Sequence, residues 1–169
     1  SLESMAGLKP AFDKEGVVTA GTSSPLTDGA SAVIVCSEDY AKSNNLEIMA
    51  YIRGMAISGC SPEIMGIGPV VSSMKALERA GLDLKDIDII EMNEAFAAQS
   101  LACVKELGID MSKLNVHGGA IALGHPLGAS GARITGKAAS LLQTEGGRYA
   151  LSTMCVGGGQ GCATVLERA

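Results

Sequence analysis

The chain has 169 residues, 47% of them hydrophobic and 18% charged, with a mean hydropathy of +0.27. That composition describes a packed domain of ordinary size and excludes a disordered segment. A net charge of −5 and a pI near 5.0 argue against a nucleic-acid surface, and no apolar run reaches the roughly 18 residues of a membrane helix.

Ser1 to Gly21 is a mixed polar lead-in broken at Pro10 and Gly16, with one short extended run from Val17 to Ala20. Residues 21–29, GTSSPLTDG, are turn chemistry. Ala30 to Cys36 (ASAVIVC) is apolar and β-branched and predicts a buried strand. Ser37 to Asn45 opens on an N-cap serine and two acids, the pattern of a short helix. Ile48 to Ile57 reads as a strand, and Cys60 to Pro69, with two prolines and two glycines, as a loop. Val70 to Ala80 has apolar residues at 70, 71, 74 and 77 and stops at Gly81, as a surface helix does. Ile87 to Met92 predicts a second buried strand and Glu94 to Leu107 a helix ending at Gly108. Val116 with Ala120 to Leu123 predicts a third strand or arm, and Gly128 to Leu142 an Ala/Gly-rich helix. Tyr149 to Val156 and Ala163 to Arg168 are strands separated by a hairpin-length Gly157 to Gly161. Strands alternating with helices and closing on two adjacent strands predict an α/β layer fold with a mixed sheet.

The residues with chemistry to offer sit at turns. Asn115 to Arg133, NVHGGAIALGHPLGASGAR, holds five glycines, and His125, one of two histidines in the chain, precedes Pro126. Proline fixes its own φ and pushes its predecessor toward extended backbone, so His125 is presented from a stiff bend ahead of a helix. An imidazole held that way suits general acid–base work near neutrality, and equally a role in tying down backbone. His117, before Gly118 and Gly119 with no such constraint, reads as structural.

Cys155 ends a strand and enters CVGGGQG, where backbone N–H groups can face an oxyanion. Read alone, it is a small buried thiol beside a hairpin turn. Cys36, Cys60, Cys103 and Cys162 read as structural; the five cysteines form no CxxC pair, two histidines complete no zinc cluster, and the odd count reads as reduced and intracellular. Asn93 stands at the carboxyl end of a strand, where open α/β sheets place their sites, and is equally a good helix N-cap. No GxGxxG run joins a strand to its helix, and there is no Walker A lysine motif.

Three motifs in order carry a family resemblance. Residues 91–99, EMNEAFAAQ, resemble the NEAFA motif of thiolases, Asn115 to Arg133 their GHP motif, and Cys155 to Gly161 their CxGGGxG motif. KPAF at 9–12 and TAGTSS at 19–24 extend the match over essentially the whole chain. The run SPEIMGIGPV at 61–70 resembles the degradative 3-ketoacyl-CoA thiolases more than the biosynthetic acetoacetyl-CoA type.

The resemblance implies half of the five-layered thiolase fold: α/β, one mixed five-stranded sheet with helices on both faces. It divides the chain into 1–45, the end of the loop region with the last strand and helix of the first thiolase half, and 46–169, the C-terminal thiolase domain. It implies an acyltransferase that cleaves 3-oxoacyl-CoA with CoA, by a ping-pong route, to acetyl-CoA and a shortened acyl-CoA. In that chemistry His125 would deprotonate the nucleophilic cysteine and Cys155 would shuttle the α-carbon proton. Asn93, through a water shared with His125, would stabilise the enolate-like oxygen, and the Gly157 N–H would join the oxyanion hole. Leu8, Phe12, Ser24, Met65 and Phe96 fall where thiolases line the pantetheine and acyl tunnel. CoA enters as substrate, with no prosthetic cofactor and no metal.

Two departures follow. His117 stands where many members carry Asn, a change expected to alter loop packing and not chemistry. The acyl-accepting cysteine of the family lies in its first half, and none of the five cysteines here takes that place by motif. The chain, opening SLESMAGLKP without an initiator Met, therefore reads as a second half, expected to be inactive alone and to need the missing N-terminal half. A homodimer or homotetramer, a cytoplasmic location, and neither nucleic-acid nor membrane partners are expected. One half alone should expose an apolar face and associate. Condensing enzymes of fatty-acid and polyketide synthesis share the architecture but carry a second histidine where Cys155 stands. A biosynthetic acetoacetyl-CoA thiolase and a non-catalytic thiolase-like scaffold domain are the alternatives, and Asn93, His125 and Cys155 together favour a catalytic parent.

Overall fold

Alternation along residues 50–59 turns Gly54, Ala56 and Ser58 inward and Met55 and Ile57 outward, the period of a strand covered on one face. In the computed structural model, which describes residues 1–169, this strand is β1 (Ala50–Gly59). It joins β2 (Ile89–Met92), β3 (Tyr149–Val156) and β4 (Gln160–Arg168) in one sheet of order β1-β4-β3-β2. β2 and β3 are parallel, with Met92 opposite Thr153, whereas β4 runs antiparallel to both β3 and β1. The sheet is mixed, as expected, but has four strands and not five.

Six helices accompany it: α1 (Leu2–Ala6), α2 (Glu38–Ser43), α3 (Gly68–Ala80), α4 (Ala97–Leu107), α5 (Ala120–Leu123) and α6 (Ser130–Thr144). β2 and β3 bury successive residues on both faces because helices cover both sides of the sheet there. On one face Ile90, Met92, Leu151 and Val165 pack with Ala76 and Leu77 of α3 and Cys103 of α4. On the other, Ile89, Ala150 and Leu166 pack with Ala138, Leu141 and Leu142 of α6.

Helix α3 begins backbone to backbone with the sheet. A Cβ on Gly161 would strike the Gly68 carbonyl, and one on Gly68 would strike the Gln160 carbonyl. Neither neighbour is a flexible side chain that can swing away. Gly161→Ala is therefore expected to destabilise the fold by about 1–3 kcal/mol, read as a lower denaturant midpoint. An unchanged midpoint would mean that α3 can step back from the sheet.

Three sequence expectations fail here. Ala30–Cys36 is not a strand: it pairs with none of the four, and Ile34 remains 84% exposed. β-Branched residues favour extended backbone, but a ladder needs a partner, and this segment instead runs along α6 with Val33 beside Gly136. Ala120–Leu123 is one helical turn, α5, because the Gly119 carbonyl takes the N–H groups of Ala122 and Leu123. Four apolar residues are too few for periodicity to separate helix from strand. Helix α4 also starts later than expected, at Ala97, since residues 94–96 bond elsewhere.

Candidate active site

Because β2 and β3 are parallel, their carboxyl ends open on the same edge of the sheet, the edge at which open α/β sheets hold ligands. Asn93 prolongs β2 there, its N–H donating to the Thr153 carbonyl at 3.0 Å. Cys155 lies at the end of β3, next to Met154, whose sulfur faces Gly131 in the first turn of α6. His125 leads into that same turn, and its ring bonds to Ser130, the first residue of the helix. Asn93 and Cys155 thus stand at the carboxyl ends of neighbouring strands, His125 in the turn that enters α6, and Gly157 in the turn beyond β3.

Each of the three has a distinct state. Asn93 is fully buried, and neither Oδ1 nor Nδ2 of its amide has a hydrogen-bond partner in the protein. A buried amide left so costs on the order of 1–3 kcal/mol per group. Its alternative role as a helix cap is excluded, since α4 is preceded by Phe96 and has no side-chain cap. His125 is half-buried; burial first, and then the Arg133 guanidinium, push its pKa below the ordinary imidazole value of 6.5, so the ring is neutral at pH 7. The Cys155 thiol, 6% exposed, is pushed up by burial, with Cys60 adding to the rise and its own backbone N–H opposing it. It is protonated near neutrality. Cys103 beneath it is driven to about 11 by burial and is chemically inert.

The loop that carries His125 is clamped to β2 by polar side chains that no short motif marks. Asn115, at φ 45°, exchanges hydrogen bonds with the Met92 backbone, accepting its N–H at 2.9 Å and donating to its carbonyl at 2.9 Å. The same amide donates to Glu94 Oε1 at 2.6 Å, and Glu94 Oε2 accepts the Ile121 N–H at 3.1 Å. Lys137 of α6 bridges buried Glu91 (3.1 Å) and the Gly118 carbonyl (2.9 Å). The only sequence signal was an acid inside an apolar strand, Glu91, whose pKa is raised by burial against the pull of Lys137 and Arg133. His117 faces Glu145 at 3.2 Å on the surface.

A second group of candidate residues lies on the surface. Ser24 donates both its N–H (3.0 Å) and its hydroxyl (3.2 Å) to the Ala95 carbonyl, and Ser23 bridges Phe96. The Phe96 ring meets Phe12 edge-on, with centroids 6.4 Å apart at 82°. Leu8 packs on Gly21, and half-buried Met65 lies in the turn Pro62–Ile67 that covers α4. Phe12 is 81% exposed and Leu8 39%, so within this chain they line a surface and not an enclosed tunnel.

The thiolase C-terminal domain family matches residues 46–168, and the thiolase N-terminal domain family matches residues 1–39. The chain belongs to the thiolase family. A 3-ketoacyl-CoA thiolase of Shewanella loihica is 59% identical over 173 residues, covering 100% of this chain and 45% of that relative. The crystal structure of human mitochondrial 3-ketoacyl-CoA thiolase in complex with CoA superposes with a TM-score of 0.98 at 53% identity, covering all of this chain and 43% of that one. That of the Bacillus anthracis acetyl-CoA acetyltransferase gives 0.97 at 46% identity, again over 43% of its length. This thiolase chain therefore spans less than half the length of the relatives it matches. No helix in it is long and apolar enough to cross a membrane.

Proposed function

We propose that the chain supplies the base, the second thiol and the enolate-binding amide of a 3-ketoacyl-CoA thiolase, an acyltransferase whose nucleophilic cysteine lies outside these 169 residues. The observation that supports this reading is the buried, unpaired amide of Asn93 at the end of β2, with Cys155 near the end of the neighbouring β3 and His125 in the turn that enters α6. Neutral imidazole is the form that accepts a proton, and buried thiol is the form that gives one.

In the cleavage direction, His125 takes the proton of the nucleophilic thiol, and the thiolate adds to the 3-keto carbon. The bond between C2 and C3 then breaks, leaving the acyl group on sulfur and its electron pair on the enolate of acetyl-CoA. The Cys155 thiol protonates that carbanion, and Asn93 donates to its oxygen, through a water shared with His125. The CoA thiol then gives up its proton, which restores the Cys155 thiol, and its sulfur adds to the acyl-enzyme thioester. The resulting oxyanion meets the Gly157 N–H. On collapse acyl-CoA leaves, while the nucleophilic sulfur recovers its proton from His125. CoA acts as substrate, against Leu8, Phe12, Ser24, Met65 and Phe96.

The rest of the reading follows from what the chain leaves open. An apolar groove of about 770 Å³, between residues 32–38, β1 and α6, matches a seat for the N-terminal half of the enzyme. There Ala30–Cys36 finds the ladder it lacks here. Residues 1–45 then belong with that half and 46–169 form the C-terminal domain, within a cytoplasmic homodimer or homotetramer. The higher identities to 3-ketoacyl enzymes favour that substrate class over acetoacetyl-CoA alone.

CoA-dependent loss of acetoacetyl-CoA tests the reading. It is expected when the chain is joined to the remainder of its enzyme and absent for the 169 residues alone. Activity of the chain alone would place the nucleophile among its own cysteines, and no activity in either case would end the proposal.

A further inference from the structure

The imidazole of His125 has two nitrogens, and a base must present its lone pair from the one that faces the substrate. What decides this is the partner of the other nitrogen. Nδ1 lies 2.6 Å from the hydroxyl of Ser130, which is fully buried, and that hydroxyl also lies 3.1 Å from the Pro126 carbonyl.

A serine hydroxyl carries one proton. If Nδ1 is protonated, the ring donates to Oγ, the hydroxyl donates to the Pro126 carbonyl, and both short contacts are hydrogen bonds. If Nδ1 is bare, the hydroxyl must turn toward it, and the contact with the Pro126 carbonyl becomes oxygen against oxygen with no proton between. The first arrangement satisfies every group in the turn. The carbonyl is fixed in place by the N–H groups of Ala129 and Ser130, at 2.9 and 3.0 Å, so the relay has a rigid end. Ser130 is moreover not capping its helix, because α6 has no side-chain cap and the hydroxyl points back toward the bend.

We propose that Ser130 is a positioning residue that holds the proton of His125 on Nδ1, so that Nε2 keeps its lone pair for the reacting thiol. The inference deepens the assignment of His125 as base and rests on it. Burial first, and then Arg133 of α6, favour the neutral ring; the short contact that distinguishes one nitrogen is the one from Nδ1 to Ser130.

The test is made in the complete enzyme. Ser130→Ala is expected to lower kcat about ten- to a hundredfold, a share of the effect of acid–base catalysis, with KM within about twofold. Ser130→Thr keeps the hydroxyl and should recover most of kcat. Solid-state 15N spectra of histidine-labelled protein, with His125→Asn subtracted to isolate this ring, should show the proton on Nδ1. In Ser130→Ala the proton should move at least partly to Nε2. A wild-type signal from Nε2–H, or an alanine variant with unchanged kcat and tautomer, would overturn the proposal. Full activity in His125→Asn would instead remove the base assignment, while the tautomer readout would still judge Ser130.

Discussion

Replacing His125 by Asn in the complete enzyme is expected to lower kcat for thiolysis by about 10²- to 10⁴-fold, the range of a lost general base. The effect should appear already in the first half-reaction, since without the base the nucleophilic thiol is not deprotonated and no acyl-enzyme forms. The pH profile supplies the sign. For the proposed base the active form is the neutral ring, and burial with Arg133 lowers its pKa below 6.5. Activity should therefore persist as pH falls through 6.5 and drop only below it. Asn cannot titrate, so the acid limb should vanish with the substitution. An acid limb above 6.5 would contradict the local electrostatics, and a variant with near-normal kcat would contradict the role.

Cys155→Ala is expected to be nearly as severe for the overall reaction, about 10²-fold or more, but to fail at a different step. Acyl transfer from an acyl-CoA to the nucleophile needs no proton at the α-carbon and should survive. Carbon–carbon cleavage, and exchange of the methyl protons of acetyl-CoA with solvent, should not. Burial holds this thiol protonated to a higher pH than an ordinary cysteine. The proton needed by the departing enolate is thus present across the neutral range. Loss of both half-reactions together would mean that Cys155 supports the fold of the edge and does not move the proton.

The sheet was legible where burial is internal to the chain. Tyr149–Val156 could be read residue for residue because helices of the same chain cover both of its faces, and α3 and α4 stop at Gly81 and Gly108 as read. Ala30–Cys36 has the composition of a buried strand, but whether such a run becomes one depends on a partner that local pattern does not encode. At the site, His125, Cys155 and Asn93 stand out because proline, a glycine turn and a strand exit are local signals. Ser130 was hidden in an Ala/Gly-rich helix. Glu94, Asn115 and the pair Glu91 and Lys137 meet only through the folded sheet and helix α6. Their separations along the chain match no short motif.

The most direct test is to find where the acyl group is carried. The complete enzyme, quenched after mixing with acetoacetyl-CoA and digested, should yield an acetylated cysteine peptide from outside these 169 residues. His125→Asn should reduce that peptide sharply, and Cys155→Ala should still form it from acetyl-CoA. Acetyl on Cys36, Cys60, Cys103, Cys155 or Cys162 would contradict the division of labour, and His125 would then serve a nucleophile within its own half.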